Sequence, residues 1–129
     1  MSRALILIAD DDADIREFVA LILDRSGYAV VAVADGAEAV ERIRERRPNL
    51  AILDVRMAKL DGYGVLSALR SDTEASYVPV VVLTASVREG EQARALAVGA
   101  DAFLQKPFER RELLAHVERL LGAGREEFT

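Results

Sequence analysis

The sequence predicts an α/β fold: a five-stranded parallel sheet flanked by five helices. Two observations carry that expectation. Five short apolar runs alternate along the chain with five segments whose apolar residues recur at helical spacing, and a helix between successive strands is the crossover that makes the strands parallel. The first run, Ala4–Ala9, is apolar throughout, as befits a strand covered on both faces. The 129 residues suffice for one domain with one ordinary core.

Taken in order, Ala4–Ala9 is the first strand. A helix follows from Asp12 or Ala13 to about Ser26, with Ile15, Phe18, Val19 and Ile22 on one face and Gly27 as its stop. Leu21 and Leu23 lie beside that stripe, as core edge or as a partner patch. Tyr28–Ala34 is valine-rich and reads as a strand. Asp35 is placed to cap a helix over Gly36–Arg46, whose end carries Arg44, Arg46 and Arg47 as a solvated basic turn. Leu50–Asp54 is the third strand, and Met57–Gly62 a loop. Val65, Leu66 and Leu69 mark a helix over Gly64–Ser71. Pro79 opens the strand Val80–Thr84. A helix over Arg88–Val98 follows, with a weak stripe of Ala93, Leu96 and Ala97, and Gly99 stops it. Ala102–Gln105 is the last strand. The final helix spans Glu109–Leu121, with Leu113, Val117 and Leu120 on one face and Leu114 and Leu121 beside it, and Gly122–Thr129 reads as a loose polar tail.

Composition narrows the function. Seventeen basic against 22 acidic residues leave a net charge of −5, which argues against a nucleic-acid binder. Cysteine is absent, so disulfides, thiolate metal sites and cysteine nucleophiles are excluded. The apolar run at the start is too short for a membrane span and precedes acids rather than a cleavage site. A cytoplasmic protein with no membrane contact is the expectation.

The chemistry lies at the carboxyl ends of the runs. Asp10-Asp11-Asp12 follow the first, Asp54 ends the third, Thr84 the fourth, and Lys106-Pro107 follows the fifth. Ligands of open parallel sheets sit at that edge, near the topological switch point. Alone, each string has an ordinary reading: the acidic triplet as a helix N-cap run, Asp54 as a turn former, Thr84 and Lys-Pro as nothing in particular. Together they gather three carboxylates, a hydroxyl and an ammonium. Crowded carboxylates repel one another, and a hard divalent cation removes that cost. Mg²⁺ is the expected metal, held by Asp11 and Asp54, by Asp10 through a water, and by the backbone carbonyl of Arg56. Asp54 is the candidate nucleophile toward phosphorus, with Lys106 and the Thr84 hydroxyl stabilising phosphoryl oxygens. Pro107 makes the Lys106–Pro107 bond the place where a cis peptide is expected.

Over about residues 4–121 the chain resembles the receiver domains of two-component response regulators. The matching strings are Leu5–Asp12, Leu53–Met57, Leu60-Asp61-Gly62, Val82–Ala85, Gly99-Ala100-Asp101 and Phe103–Phe108. The resemblance implies a flavodoxin-like sheet of order 2-1-3-4-5, with the domain over residues 1–122 and a short tail over 123–129. It implies that Asp54 accepts a phosphoryl group from a phosphohistidine on a sensor histidine kinase or a histidine phosphotransfer protein. It places Mg²⁺ on Asp10 and Asp11, and Thr84 and Lys106 on the phosphoryl group. Thr84 and Phe103 become the switch: the hydroxyl moves inward and the ring follows, changing which protein binds the surface of the fourth helix, fifth strand and fifth helix. Output through binding to another protein or to a second copy makes a homodimer one of the expected states. Arg56 and Ser86 occupy positions that tune dephosphorylation. Ala58 departs from the family, which commonly has proline there, and this loosens the loop slightly.

On this reading the protein is a phosphorylation-dependent switch without an output domain, not an enzyme acting on a separate metabolite. The rivals are a receiver used only for binding, and a Mg²⁺-dependent hydrolase with an acyl-phosphate intermediate, for which Asp10 and Asp12 weakly fit but no cap domain is visible. Asp10, Asp12 and Asp14 mimic a calcium loop, but Ile15 stands where its glycine is required. His116, the single histidine, is expected at an ordinary surface position.

Overall fold

The computed structural model describes residues 3–85 and 88–126, with side chains through Gly122. Its elements run β1 (Leu5–Ala9), α1 (Ala13–Arg25), β2 (Ala29–Val33), α2 (Gly36–Arg46), β3 (Leu50–Asp54), α3 (Gly62–Ser71), β4 (Val80–Thr84), α4 (Glu91–Val98), β5 (Ala102–Gln105) and α5 (Arg110–Glu126). All four strand pairings are parallel, in the order β2-β1-β3-β4-β5. The chain steps from β1 out to β2 and then back across to β3. The connections leaving β1 and β3 therefore diverge, and a crevice opens at the carboxyl ends of these two strands.

Strand side chains alternate between two cores. Leu7, Ala9, Ala51, Leu53, Val80 and Val82 face α2, α3 and α4. Ile6, Ile8, Leu50, Ile52, Val81 and Leu83 face α1 and α5. Every residue of β3 and β4 is buried. Each large side chain so covered contributes roughly 1.5–3 kcal/mol, so the middle strands are the most firmly held part of the sheet and their ends are fixed points.

Helix boundaries follow their caps. Asp12 caps α1, accepting from the amides of Asp14 and Ile15, and Asp35 caps α2 through the amide of Glu38. Asp61 caps α3 through Gly64 N–H, which starts that helix at Gly62 rather than Gly64. The fourth helix begins at Glu91, not Arg88, because Gly90 takes a left-handed φ of 86° that interrupts the turn. The fifth continues to Glu126, past the expected stop at Leu121. A helical glycine costs about 1 kcal/mol relative to alanine but does not forbid the helix. The last residues of the expected loose tail, 127–129, lie outside the described residues.

Three expected faces are corrected. On α1, Val19, Ile22 and Leu23 are buried; Leu23 belongs to the core, not its edge, while Phe18 is 47% exposed and meets the Phe108 ring at 6.3 Å between ring centres, tilted by 41°. On α4 the buried residue is Ala95. Ala93, Leu96 and Ala97 are exposed, since a helix that presents one small residue to the sheet leaves its larger ones outside. Arg44 and Arg47 are not merely solvated, because they pair with Asp72 at 3.5 Å and Glu74 at 2.7 Å across the α3–β4 loop. Among the described residues no helix is long and apolar enough to cross a membrane.

Candidate functional site

The acidic triplet after β1 divides into three roles. Asp10 continues the sheet, its amide donating to the Val33 carbonyl, and is fully buried. One carboxylate oxygen of Asp10 accepts from the amide of Asp12 at 3.0 Å, and the other accepts from Lys106 Nζ at 2.8 Å. Asp11 is exposed and points its carboxylate into the crevice with Asp10 and Asp54. Asp12 is the helix cap.

Asp54 is the last residue of β3 and pairs in register with Leu83. The loop after it folds back on the strand end, where the Gly62 amide donates to the Val55 carbonyl at 2.9 Å. A side chain at Gly62 would collide with the Asp54 carbonyl, so only glycine permits this approach. The carboxylates of Asp10, Asp11 and Asp54 come within 4.8 Å of one another. Lys106 Nζ stands 3.4 Å from Asp54 Oδ1, and the Lys106 amide is anchored by donating to the Thr84 carbonyl at 2.8 Å. The Lys106–Pro107 peptide is cis. Thr84 is buried at the end of β4. Phe103 pairs with Val82 in β5 and is half-buried against the α2–α3–α4 core.

Burial, and then the charge of Asp10, push the Asp54 carboxyl up to about 6, while Lys106 opposes the rise. Burial alone would lower the Lys106 ammonium; its hydrogen bond to Asp10 and the nearby charge of Asp54 outweigh that and raise it. One ammonium therefore faces three carboxylates. That excess of buried negative charge, built wholly of oxygen donors, suits a hard divalent cation of the Mg²⁺ type.

Beside the carboxylates opens a cleft of about 460 Å³, lined by Asp11, Arg56, Thr84, Tyr63, Glu91 and Arg94 among others. The response regulator receiver domain family matches residues 6–118. The chain belongs to that family. Among curated relatives, the receiver is 40% identical over 121 residues to a protein of Porphyridium aerugineum described as a probable transcriptional regulator, ycf27, covering 94% of this chain and 49% of that protein. The receiver thus spans about half the length of the curated relatives it matches. Among solved structures, it resembles a chemotaxis response regulator of Vibrio cholerae, CheY4, with a TM-score of 0.86 and 32% identity, covering 92% of this chain and 99% of that one. It also resembles the receiver domain of a sensor histidine kinase from Pseudomonas aeruginosa PAO1, whose crystal structure carries a magnesium ion in its active-site cleft. There the TM-score is 0.86 and the identity 31%, over 95% of this chain and 99% of that one.

In the receiver, Asp10, Asp11, Asp54 and Lys106 meet at one point, and Thr84 and Arg56 line the cleft beside them. Ser86 lies outside the described residues. His116 is half-buried on α5 and shares a hydrogen bond with Arg119 at 3.0 Å, away from the carboxylates. Two features escaped the sequence. Arg16 reaches back from the first turn of α1 to the Asp10 carbonyl at 2.8 Å. Tyr63, Glu91 and Arg94 join α3 to α4 along the cleft wall: the Tyr63 hydroxyl donates to Glu91 at 2.7 Å, and the Arg94 guanidinium lies 4.3 Å from the Tyr63 ring centre. No spacing signal announces these contacts, because Arg16 bonds to a main-chain carbonyl and Tyr63 meets its partners on another helix.

Proposed function

We propose that the receiver is a phosphoacceptor switch in a two-component phosphorelay, with Asp54 as the residue that becomes an acyl phosphate. The observation that carries this is the solitary carboxylate ending β3, buried beside a lysine and two further carboxylates. The phosphoryl donor is a phosphohistidine on a sensor histidine kinase or a histidine phosphotransfer protein. An Asp54 oxygen attacks phosphorus, the bond from phosphorus to the histidine nitrogen breaks, and the nitrogen leaves with the electron pair. Positioning and charge stabilisation do most of the work in such transfers.

Asp10, Asp11, Asp54 and the Arg56 carbonyl would hold the Mg²⁺. When bound, that ion supplies positive charge for the phosphoryl oxygens. Lys106, already within reach of Asp54, neutralises a further oxygen, and the Thr84 hydroxyl donates to another. Arg16 fixes the backbone of Asp10 and so the direction of its carboxylate. Asp10 and Asp54 become competent together once the excess negative charge is met.

Output follows from the new dianion, which biases a two-state element. Thr84 and Phe103 form that element, and the surface of α4, β5 and α5 is read by a protein partner. Dimerisation through a second copy is one such readout. The domain covers residues 1–122, and residence in the cytoplasm agrees with the phosphorelay role.

The test is to incubate the protein with Mg²⁺ and acetyl phosphate, or with a phosphorylated kinase, and weigh it intact. One phosphoryl adduct is expected, absent in Asp54→Ala and abolished by chelation. An adduct that persists in Asp54→Ala, or none from any donor, rejects the reading.

A further inference from the structure

The cleft beside Asp54 holds a cation that nothing in the phosphoacceptor reading uses. Arg94 is exposed on α4, yet it is not a loose surface side chain. Its guanidinium stacks on Tyr63, which is only 7% exposed and is itself tied by its hydroxyl to Glu91. The arginine is therefore held by a ring that cannot move without breaking a buried contact. Among the described residues it forms no ion pair and no hydrogen bond, so its N–H donors are directed but uncommitted. It lines the same cleft as Asp11 and Thr84, the residues flanking the transfer site. Glu91, one turn earlier on α4, accepts the Tyr63 hydroxyl through one carboxylate oxygen.

A planar guanidinium held in place with free donors is complementary to a carboxylate. We infer that Arg94, positioned by Tyr63 and Glu91, is a specificity-determining residue that favours phosphoryl donors whose leaving group is a carboxylate, the small acyl phosphates. The inference rests on Asp54 being the phosphoacceptor. In the step it concerns, an Asp54 oxygen bonds to phosphorus and the bond from phosphorus to the acyl oxygen breaks. The carboxylate departs with the electron pair, so negative charge grows on it as it enters the cleft. A donor that releases a neutral amine develops no such charge and gains little from the arginine. The cleft, at about 460 Å³, has room for a small donor.

The test compares two donors, acetyl phosphate and phosphoramidate, on the full chain with Mg²⁺, and reads the ratio of their phosphorylation rates. Arg94→Ala is expected to lower the ratio of acetyl phosphate to phosphoramidate rates about fivefold to tenfold, the worth of one partly solvated charge-assisted hydrogen bond pair. Arg94→Lys is expected to recover part of it, because charge returns without the planar fork. Tyr63→Leu, which removes the stacking ring, is expected to lower the ratio about threefold. A ratio that stays at the wild-type value in Arg94→Ala, while both donors still phosphorylate Asp54, overturns the inference and leaves the phosphoacceptor reading standing. Failure of both small donors on the wild-type chain overturns the inference, and failure of a phosphorylated kinase as well overturns the phosphoacceptor reading with it.

Discussion

At the amino ends of β4 and β5, Arg70 of α3 donates to the Gly99 carbonyl twice, to the carbonyls of Ser76 and Val78, and to Asp101. Asp101 accepts in turn from the amide of Val80. At the carboxyl ends of β1, β3 and β5, Lys106 stands among Asp10, Asp11 and Asp54 with fewer positive charges than negative ones. Both ends of the sheet thus hold a cation among acceptors. At the first the donors are saturated and the charges matched, so the arrangement holds the chain together and offers nothing to a ligand. At the second the negative charges are in excess, so the fold carries a cost that an added cation, or a proton on Asp54, relieves. Residue type does not separate a structural cluster from a functional one here; the balance of charge and hydrogen bonds does.

The largest effect that tests this contrast is expected at the saturated end. Arg70→Ala removes every one of those donors and leaves the carbonyls of Val78 and Gly99 without them. A loss of about 3 kcal/mol or more is expected in urea unfolding. Arg70→Lys keeps the charge but not the fork, and is expected to recover less than half. Gly99 has a φ of 118°, and the Arg70 side chain lies 3.1 Å from where a β-carbon would sit, so the loop is shaped around the guanidinium. If Arg70→Ala unfolds at the wild-type urea concentration, that cluster is not the fastener described.

The opposite sign is expected at the unmatched end. Unfolded, the Asp54 carboxyl titrates near its ordinary value of 3.8; folded and without metal, it titrates at about 6. Between these values the folded chain binds more protons than the unfolded one, so stability falls as pH rises through the window. Above it the ionised Asp54 costs the fold about 3 kcal/mol. Asp54→Asn cannot ionise. In chelator near pH 8 the variant is expected to be more stable than wild type by about that amount, with the gain vanishing below about pH 4. Urea titrations across pH measure it. A variant less stable than wild type at the alkaline end breaks the comparison.

Which parts of this were legible in the sequence follows the same division. The strands Leu50–Asp54, Val80–Thr84 and Ala102–Gln105 were readable to the residue, because strands covered on both faces are continuous apolar runs. Asp10, Asp11, Asp54, Thr84 and Lys106 were readable as a set because each stands at a strand end, and strand order brings strand ends together. Helix α4 was readable as a helix ending at Val98 before Gly99, but its first turn and its buried face were not. It buries Ala95 alone, so its periodicity is too weak to define a face, and the stripe Ala93-Leu96-Ala97 pointed the wrong way. Phe18 followed the helical stripe of α1 and still lies half outside, whereas Leu23, beside that stripe, is buried. Tyr63, Glu91, Arg94 and Arg70 carried no signal either, since their partners are set by how α3 packs against α4 and the β4–β5 end.

The smallest effect sharpens the contrast between the two ends by filling the deficit. A ligand that binds only the folded chain stabilises it by about 1.4 kcal/mol at tenfold its dissociation constant. Mg²⁺ is expected to raise the melting temperature of wild type to that extent and to do nothing for a chain without the carboxylate set. Asp11 is the residue to remove, because it is exposed and its side chain makes no hydrogen bond or ion pair among the described residues, whereas Asp10 supports Lys106 and the start of α1. Asp11→Ala is therefore expected to melt near wild type in chelator and to lose most of the Mg²⁺ shift. Arg70→Ala, damaged at the far end, is expected to melt lower in chelator yet keep the full shift. Equal Mg²⁺ shifts in wild type and Asp11→Ala, read by thermal unfolding, would place the cation elsewhere and remove the reason for treating the unmatched carboxylates as a site.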